Sequence, residues 1–320
     1  MRKNLTVLIS LAAVSLSACS ATGPEQRPEV GESHPVTQSE ALDAKAISTP
    51  LDAHLPSPGL MLTLRRAEAR LTNQCLARLG YASHPMPAPK AQPSRRHSEF
   101  LVFSIPQAEE VGYNPPKDAI EAGSSRWDAK ASKVQRGLLD GSLRRYKGRS
   151  VPRTGCAGEA ADRIAKGSRL PDKMEGGGIE LTRDDKASPT GVGDAQVELM
   201  RLDAIVATKR DPRYLKMIRA WSSCMTKAGY EYKSPEDALN DVRWDGDEIS
   251  NKERSTAVTD MRCKKDVHYL AVADAVQSEY EEEVIQKREK ELTQLRRNLS
   301  VWEENAEEVI RSRSASTASS

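Results

Sequence analysis

The sequence predicts an all-α fold, with two disulfide-stapled helical modules and a long C-terminal helix, preceded by a disordered tether. Three observations carry that expectation. Apolar residues recur every three or four positions in several segments; a short motif containing Cys, Gly and Tyr occurs twice at the end of such a segment; and no paired runs of alternating or β-branched residues mark a sheet. Of 320 residues, 29% are charged and 4% aromatic, and the mean hydropathy is −0.61. That balance excludes a multi-span membrane protein.

The first element is an export signal. Arg2 and Lys3 form a positive start, Leu5 to Val14 an apolar run, and Leu16-Ser17-Ala18-Cys19 a small-residue exit. The apolar run is about half of the ~20 residues needed to cross a bilayer, so residues 1–18 read as a lipoprotein signal peptide. The exit resembles the bacterial lipobox, which implies that Cys19 becomes the acylated N-terminus, palmitate among its chains. The expected location is the cell membrane, lipid-anchored on its extracytoplasmic side. Cleavage also removes two of the 48 basic residues and none of the 46 acidic ones. A net charge of zero gives no overall attraction to nucleic acid, and no such partner is expected.

Residues 19–58 are rich in Pro, Ser and Thr, and no aromatic residue follows Cys19 before Tyr81. Such a stretch lacks the apolar area to offset its ordering entropy, so it reads as a flexible spacer, with His34 and His54 as loop residues.

With Cys19 assigned to lipid, Cys75, Cys156, Cys224 and Cys263 remain, an even number suited to two disulfides in an exported chain. None is spaced as CxxC, which gives no support to a redox pair or a zinc ribbon. The repeat is CLARLGY (Cys75 to Tyr81) and CMTKAGY (Cys224 to Tyr230). Gly80 and Gly229 stand where a helix needs a left-handed C-terminal residue, and Arg78 and Lys227 complement the negative helix end. Each copy precedes a further Cys that opens or enters another helical segment. The expected pairing is therefore Cys75 with Cys156 and Cys224 with Cys263, inside modules at 59–167 and 194–312. Residues 168–193, with Gly176 to Gly178, Pro189, Gly191 and Gly193, read as a linker, and 313–320 as a tail.

Within the first module, Phe100 to Ile105 reads as buried extended chain, Gln107 to Val111 as a short helix, and Arg126 to Tyr146 as a weaker helix interrupted at Gly141. In the second, Asp194 opens a helix to about Lys209. Asp211-Pro212 opens the next, Ser234 starts a third, and Ser250 to Glu253 match a capping box. No Gly or Pro follows Gly246. A single helix from Ser250 to about Arg311, ~90 Å long, is expected. Its distal residues Leu292, Leu295, Leu299, Trp302, Ala306 and Val309 have the spacing of a coiled-coil seam. That seam either folds back onto the first module, burying Trp302, or meets a partner helix or a second copy. Leu71, Leu79, Ile218, Trp221, Met225, Val267 and Leu270 are expected to be buried.

The string Trp221 to Tyr230 (WSSCMTKAGY), followed by Ala257, Asp260 and Cys263 and a charged helix, resembles a group of uncharacterised actinobacterial exported proteins and lipoproteins. Gly155-Cys156-Ala157-Gly158-Glu159-Ala160 is similar to an element that precedes the second module in that group. The resemblance brings no activity with it.

No HExxH, GxSxG or P-loop is present. His84, His97 and His268 read as surface or packing residues, and Asp184-Asp185 and Glu281-Glu282-Glu283 as solvated charge runs. Trp221, Trp244 and Tyr230 have core spacing rather than that of a sugar- or peptide-binding groove. No cofactor, metal site or catalytic residue is expected. The functional expectation is a non-enzymatic envelope interaction or structural protein, with a cell-wall-acting enzyme or a small-ligand-binding lipoprotein as alternatives.

Overall fold

A computed structural model describes residues 47–90, 97–113, 130–182, 189–246 and 248–312. Cys19, the signal segment, most of the tether, Asp184-Asp185 and the tail lie outside the described residues. The described residues are 66% helix and 5% strand, with ten α-helices and both expected disulfides, so the all-α reading holds.

Helix α1 (Pro58–Leu79) begins where the Ser57 hydroxyl accepts from the Leu60 amide, with Pro58 in the first turn. It ends at Gly80 (φ 84°), and the Tyr81 amide donates to the Leu76 carbonyl. Helices α2 (Ile105–Val111), α3 (Lys133–Asp140) and α4 (Gly155–Ile164) follow. Helix α5 (Pro189–Thr208) runs into α6 (Pro212–Lys227), for which Asp211 is the N-cap. Helix α6 ends like α1: Gly229 has φ 88° and the Tyr230 amide donates to the Met225 carbonyl. The two copies of the sequence repeat therefore build the same Gly-terminated helix end. Helix α7 (Pro235–Leu239) carries the Ser234 capping box, and α8 (Asn251–Asp266) starts at Ser250.

The uninterrupted terminal helix does not form. Helices α8, α9 (Tyr269–Lys287) and α10 (Glu289–Arg311) are separated at His268, which is left-handed (φ 53°), and at Arg288. The breaks let α9 lie on α5 and α6 and let α10 return to α1. Arg288 is held at its break by the Glu175 carbonyl (2.7 Å) and by Glu291 (2.7 Å). The composition of the run favours helix throughout, and tertiary burial overrides it.

Two small antiparallel hairpins depart from the helical pattern. In one, β1 (Arg145–Tyr146) pairs with β2 (Arg149–Ser150); in the other, β3 (Lys173–Gly176) pairs with β4 (Ile179–Thr182). The first replaces the end of the weak helix expected to Tyr146, since α3 stops at Gly141 in a left-handed C-cap. The second occupies the expected linker. Gly177 and Gly178, both at positive φ, make its turn, and Met174 is buried against α5. The extended reading of 100–105 is also revised: Phe100 closes a 3-10 turn and Ile105 begins α2.

The division at 168–193 does not separate two cores. One core joins Met61, Leu64 and Leu71 of α1 to Ile164 of α4, Leu199 of α5, and Trp302, Ala306 and Val309 of α10. Another joins Ala108 of α2 and Tyr113 to Trp221, Met225, Trp244 and Met261. Each sequence half thus contributes to the other's core, and all the described residues belong to one unit. Leu71, Leu79, Trp221 and Met225 are buried as expected, while Ile218, Val267 and Leu270 are half-buried.

The C-terminal seam is used intramolecularly. Trp302 is fully buried, and its indole N–H donates to the Ser168 hydroxyl (2.9 Å). The version in which this seam meets a partner helix is set aside, because Leu292, Leu295, Trp302, Ala306 and Val309 are all covered by this chain.

The Cα separations are 5.5 Å for Cys75–Cys156 and 5.7 Å for Cys224–Cys263. Gly155, just before Cys156, has φ 69°, and any side chain there would overlap the Leu139 carbonyl. Only glycine lets α4 start this close to the end of α3. Replacing either Cys pair by Ala should lower stability by about 4 kcal/mol, the chain-entropy value for loops of 81 and 39 residues. Urea melts of the two double variants check this. Trp302→Ala should cost ~3–5 kcal/mol with no change in molecular mass; a variant of lower mass would instead make Trp302 an intermolecular contact.

Candidate functional site

The end of the expected tether is ordered, and it forms the centre of a buried polar cluster. Residues 50–54 form a 3-10 turn behind Thr49, whose hydroxyl and backbone form a capping box with Asp52. Leu51 is fully buried among Val197 and Met200 of α5 and Leu292 and Leu295 of α10. The spacer reading of 19–58 therefore fails over its last residues: Leu51 has an apolar socket, supplied by helices about 150 and 240 positions away.

Beside Leu51, the Arg201 guanidinium is buried at 3% residue exposure. It donates to Thr49 Oγ1 (2.5 Å), Glu281 Oε1 (2.8 Å) and Asp52 Oδ1 (2.9 Å), and pairs with Glu198 (3.3 Å) at the rim. Glu281 also accepts from the Leu51 amide (2.9 Å) and from Gln277 (2.9 Å). His97, left-handed at φ 64°, closes the other side: Nε2 lies 2.9 Å from Asp52 Oδ2 and Nδ1 lies 3.2 Å from Glu99 Oε1. With a carboxylate at each ring nitrogen, both nitrogens act as donors and the ring is an imidazolium.

Electrostatics follow from this geometry. Burial opposes charge on His97, but hydrogen bonds to Asp52 and Glu99 outweigh it and raise the group to about 9. Burial would raise Asp52; the His97 hydrogen bond and the charges of His97 and Arg201 win and bring it to about 2. Glu99 is likewise lowered, against its burial, by His97 and Gln277. Two carboxylates nearby go the other way: burial raises both Asp274 and Glu198. His54, at the end of the turn, is lowered by burial and by Arg296, and its Nδ1 is buried without a hydrogen-bond partner.

A second buried pair lies in the other core. Lys264 and Asp260, one helical turn apart on α8, are 3.0 Å from each other at 1% side-chain exposure. Asp260 accepts from Trp221 Nε1 (2.9 Å) and Tyr113 OH (3.2 Å), and Lys264 donates to the Leu101 carbonyl (2.6 Å). Burial drives both groups toward neutrality, raising Asp260 and lowering Lys264. This pair fixes the 101–113 segment onto α6 and α8.

Of the residues singled out from sequence, Trp221 and Trp244 are core residues and Tyr230 is half-buried. His84 and His268 join neither charged cluster, and His97 is no surface residue. The Glu281 to Glu283 run is not uniformly solvated, since Glu281 is fully buried. Asp52, Arg201, Gln277 and Lys264 carried no motif. Among the described residues, no group of three or more His, Cys, Asp or Glu is arranged to hold a metal ion, and no helix is long and apolar enough to cross a membrane. Comparison with protein-family models, curated proteins and solved structures finds no match.

Chemically, Arg201 and His97 form a receptor for one carboxylate beside an aliphatic socket, and Asp52 and Leu51 fill both. The pH dependence has a definite sign. The raised His97 contributes stability that is complete below about pH 6.5 and is lost as pH rises through about 9. The lowered Asp52 contributes stability that is complete above 3.8 and is lost as pH falls through about 2. The lowered His54 contributes above 6.5 and loses its contribution as pH falls below that value. Thermal melts should show greatest stability near neutrality, with an alkaline decline between pH 7 and 9 that His97→Gln removes. A His97→Gln profile parallel to the wild type would rule the network out as the source of that decline.

Proposed function

We propose that the chain is an exported lipoprotein, anchored through lipid on Cys19 to the extracytoplasmic face of the membrane. Its helical body acts without catalysis, by binding or bracing another component of the envelope. The observation that carries this reading is the cysteine arrangement. Cys75, Cys156, Cys224 and Cys263 are consumed in two disulfides, which belong to an oxidising compartment, and the remaining Cys19 stands at the end of a signal-like segment. Membership of the actinobacterial exported group suggested by the Trp221 to Tyr230 string is part of the same reading.

The interior supports a binding rather than a reactive role. Arg201 is met by Glu281 and Asp52, His97 by Asp52 and Glu99, and Lys264 by Asp260, all within the chain. A body built in this way presents its outer surface to a partner. One acyl chain holds a protein only marginally, so stable attachment requires at least two.

The experiment is fractionation after expression in a bacterium that processes lipoproteins. Wild-type protein should enter the detergent phase, and its mature N-terminus should be an acylated Cys19 by mass spectrometry. Cys19→Ala should move to the soluble fraction, with its melting temperature unchanged within error. Retention of Cys19→Ala in the membrane fraction defeats the lipid-anchor reading.

A further inference from the structure

The segment 49–55 resembles a bound ligand more than a stretch of body. It is hydrogen-bonded and ion-paired to Arg201, Glu281 and His97, all more than 40 positions away. It is joined to α1 through Pro56 and Ser57. Helix α1 has its own start at Ser57, so the segment can leave without breaking a hydrogen bond of that helix. Pro56 fits against α5 and α10 at Gly193, where Leu299 and Trp302 also converge. Pro50 and Pro56 reduce the entropy lost when the segment is seated.

The seat is chemically specific. It takes a Thr hydroxyl on Arg201, an aliphatic side chain among Val197, Met200, Leu292 and Leu295, a backbone amide on Glu281, and a carboxylate between Arg201 and His97. The closed state also has a defect. In the seated segment the His54 Nδ1 is buried without a hydrogen-bond partner, which a hydrated ring would not lack.

We propose that residues 49–55 form an exchangeable strap, and that the groove between α5, α9 and α10 accepts the same strap from a second copy of this chain. The fit of that occupant is guaranteed by identity: a second copy presents the same Thr49, Leu51 and Asp52 in the same order. The exchange is isologous, each copy giving its strap and receiving the other, so the closed monomer and the exchanged dimer hold the same contacts apart from the two-residue hinge. Which form dominates then depends on concentration. In dilute solution the strap's own groove sees it at an effective concentration in the millimolar range, and the monomer prevails. Crowding of copies on a membrane would favour exchange; that clause rests on the proposed lipid anchor, whereas the exchange itself does not.

The test is a complementation using full-length chains that all carry Cys19→Ser, so that lipidation plays no part. One chain has a disabled strap (Leu51→Ala with Asp52→Ala) and an intact groove. The other has a disabled groove (Arg201→Met) and an intact strap. Each alone should be monomeric by light scattering, and an equimolar mixture at about 100 µM should show a species of doubled mass. Two folded variants that stay monomeric when mixed overturn the proposal. So does the case in which a labelled peptide of residues 47–56 binds the strap-disabled chain but the mixture does not dimerise, because the groove then takes a linear peptide from elsewhere. If either variant fails to fold, hydrogen exchange on the Cys19→Ser chain decides. The Leu51 amide should exchange at least tenfold faster than the slowest amides of α1 and α9, and protection equal to theirs would make the strap a fixed part of the core and end the proposal.

Discussion

A guanidinium inside a protein must be matched or it drives the fold apart. Removing an ion of this size from water costs several kcal/mol even after relaxation, and mutual attraction repays this only where geometry is good and the remaining donors are satisfied. Arg201 meets those terms through Thr49, Asp52, Glu198 and Glu281. The matching groups come from the strap, from α5 itself and from α9, while His97 and Glu99 arrive on an irregular turn to complete the shell around Asp52. No local stretch of chain supplies more than a fraction of these groups. The network closes only when distant segments have assembled, so it penalises partly folded states more than it strengthens the native one. That is the sense in which a buried ionic cluster enforces one arrangement.

The other stabilising devices are local, and they act at helix ends. Ser57, Asp211, Ser234 and Ser250 cap helix starts, while Gly80 and Gly229 turn the chain out of α1 and α6. The disulfides join those same ends to α4 and α8. Cys75, Cys156 and Cys263 are themselves buried, so the bridges are part of the packing at those helix ends. Arg201 and Lys264 sit inside. The division explains how a chain with so few aromatic residues holds a single shape: caps and bridges set the ends, apolar side chains fill the middle, and paired charges fix which helix faces which.

What the sequence reveals follows the same division. Helix starts, the Gly stops and the burial of Trp221 and Met225 are legible because each depends on a residue type at a fixed local spacing, and both disulfide pairings because each joins a repeated helix end to the Cys that follows it. The break at His268 is not, since neither Gly nor Pro marks it and the run around it favours helix. Glu281 looked solvated because it stands in a run of three acids; only the approach of Arg201 from 80 positions away buries it. His97 gave no signal either, as its partners Asp52 and Glu99 are ordinary in isolation. Composition conceals the ordered end of the spacer, because it averages over about forty residues and a single Leu with a socket elsewhere in the chain escapes such an average.

The duplicated helix end explains why two repeats did not become two modules. Helix α1 is 22 residues long, and its apolar face is wider than α4, with ten residues, can cover. The uncovered part needs a long amphipathic partner, and α10, with 23 residues, supplies it. The chain after α8 is broken at His268 and at Arg288, and beyond those breaks α10 packs on α1. That return leaves a groove where α5, α9 and α10 meet, with Val197, Met200, Leu292 and Leu295 facing inward and Arg201 at its edge. Among the described residues α10 is the last helix. The groove is closed instead by the segment that precedes α1. The order of the fold thus makes the chain's earliest described segment its final closure, and places at that closure the two cations, Arg201 and His97, that require a carboxylate from it.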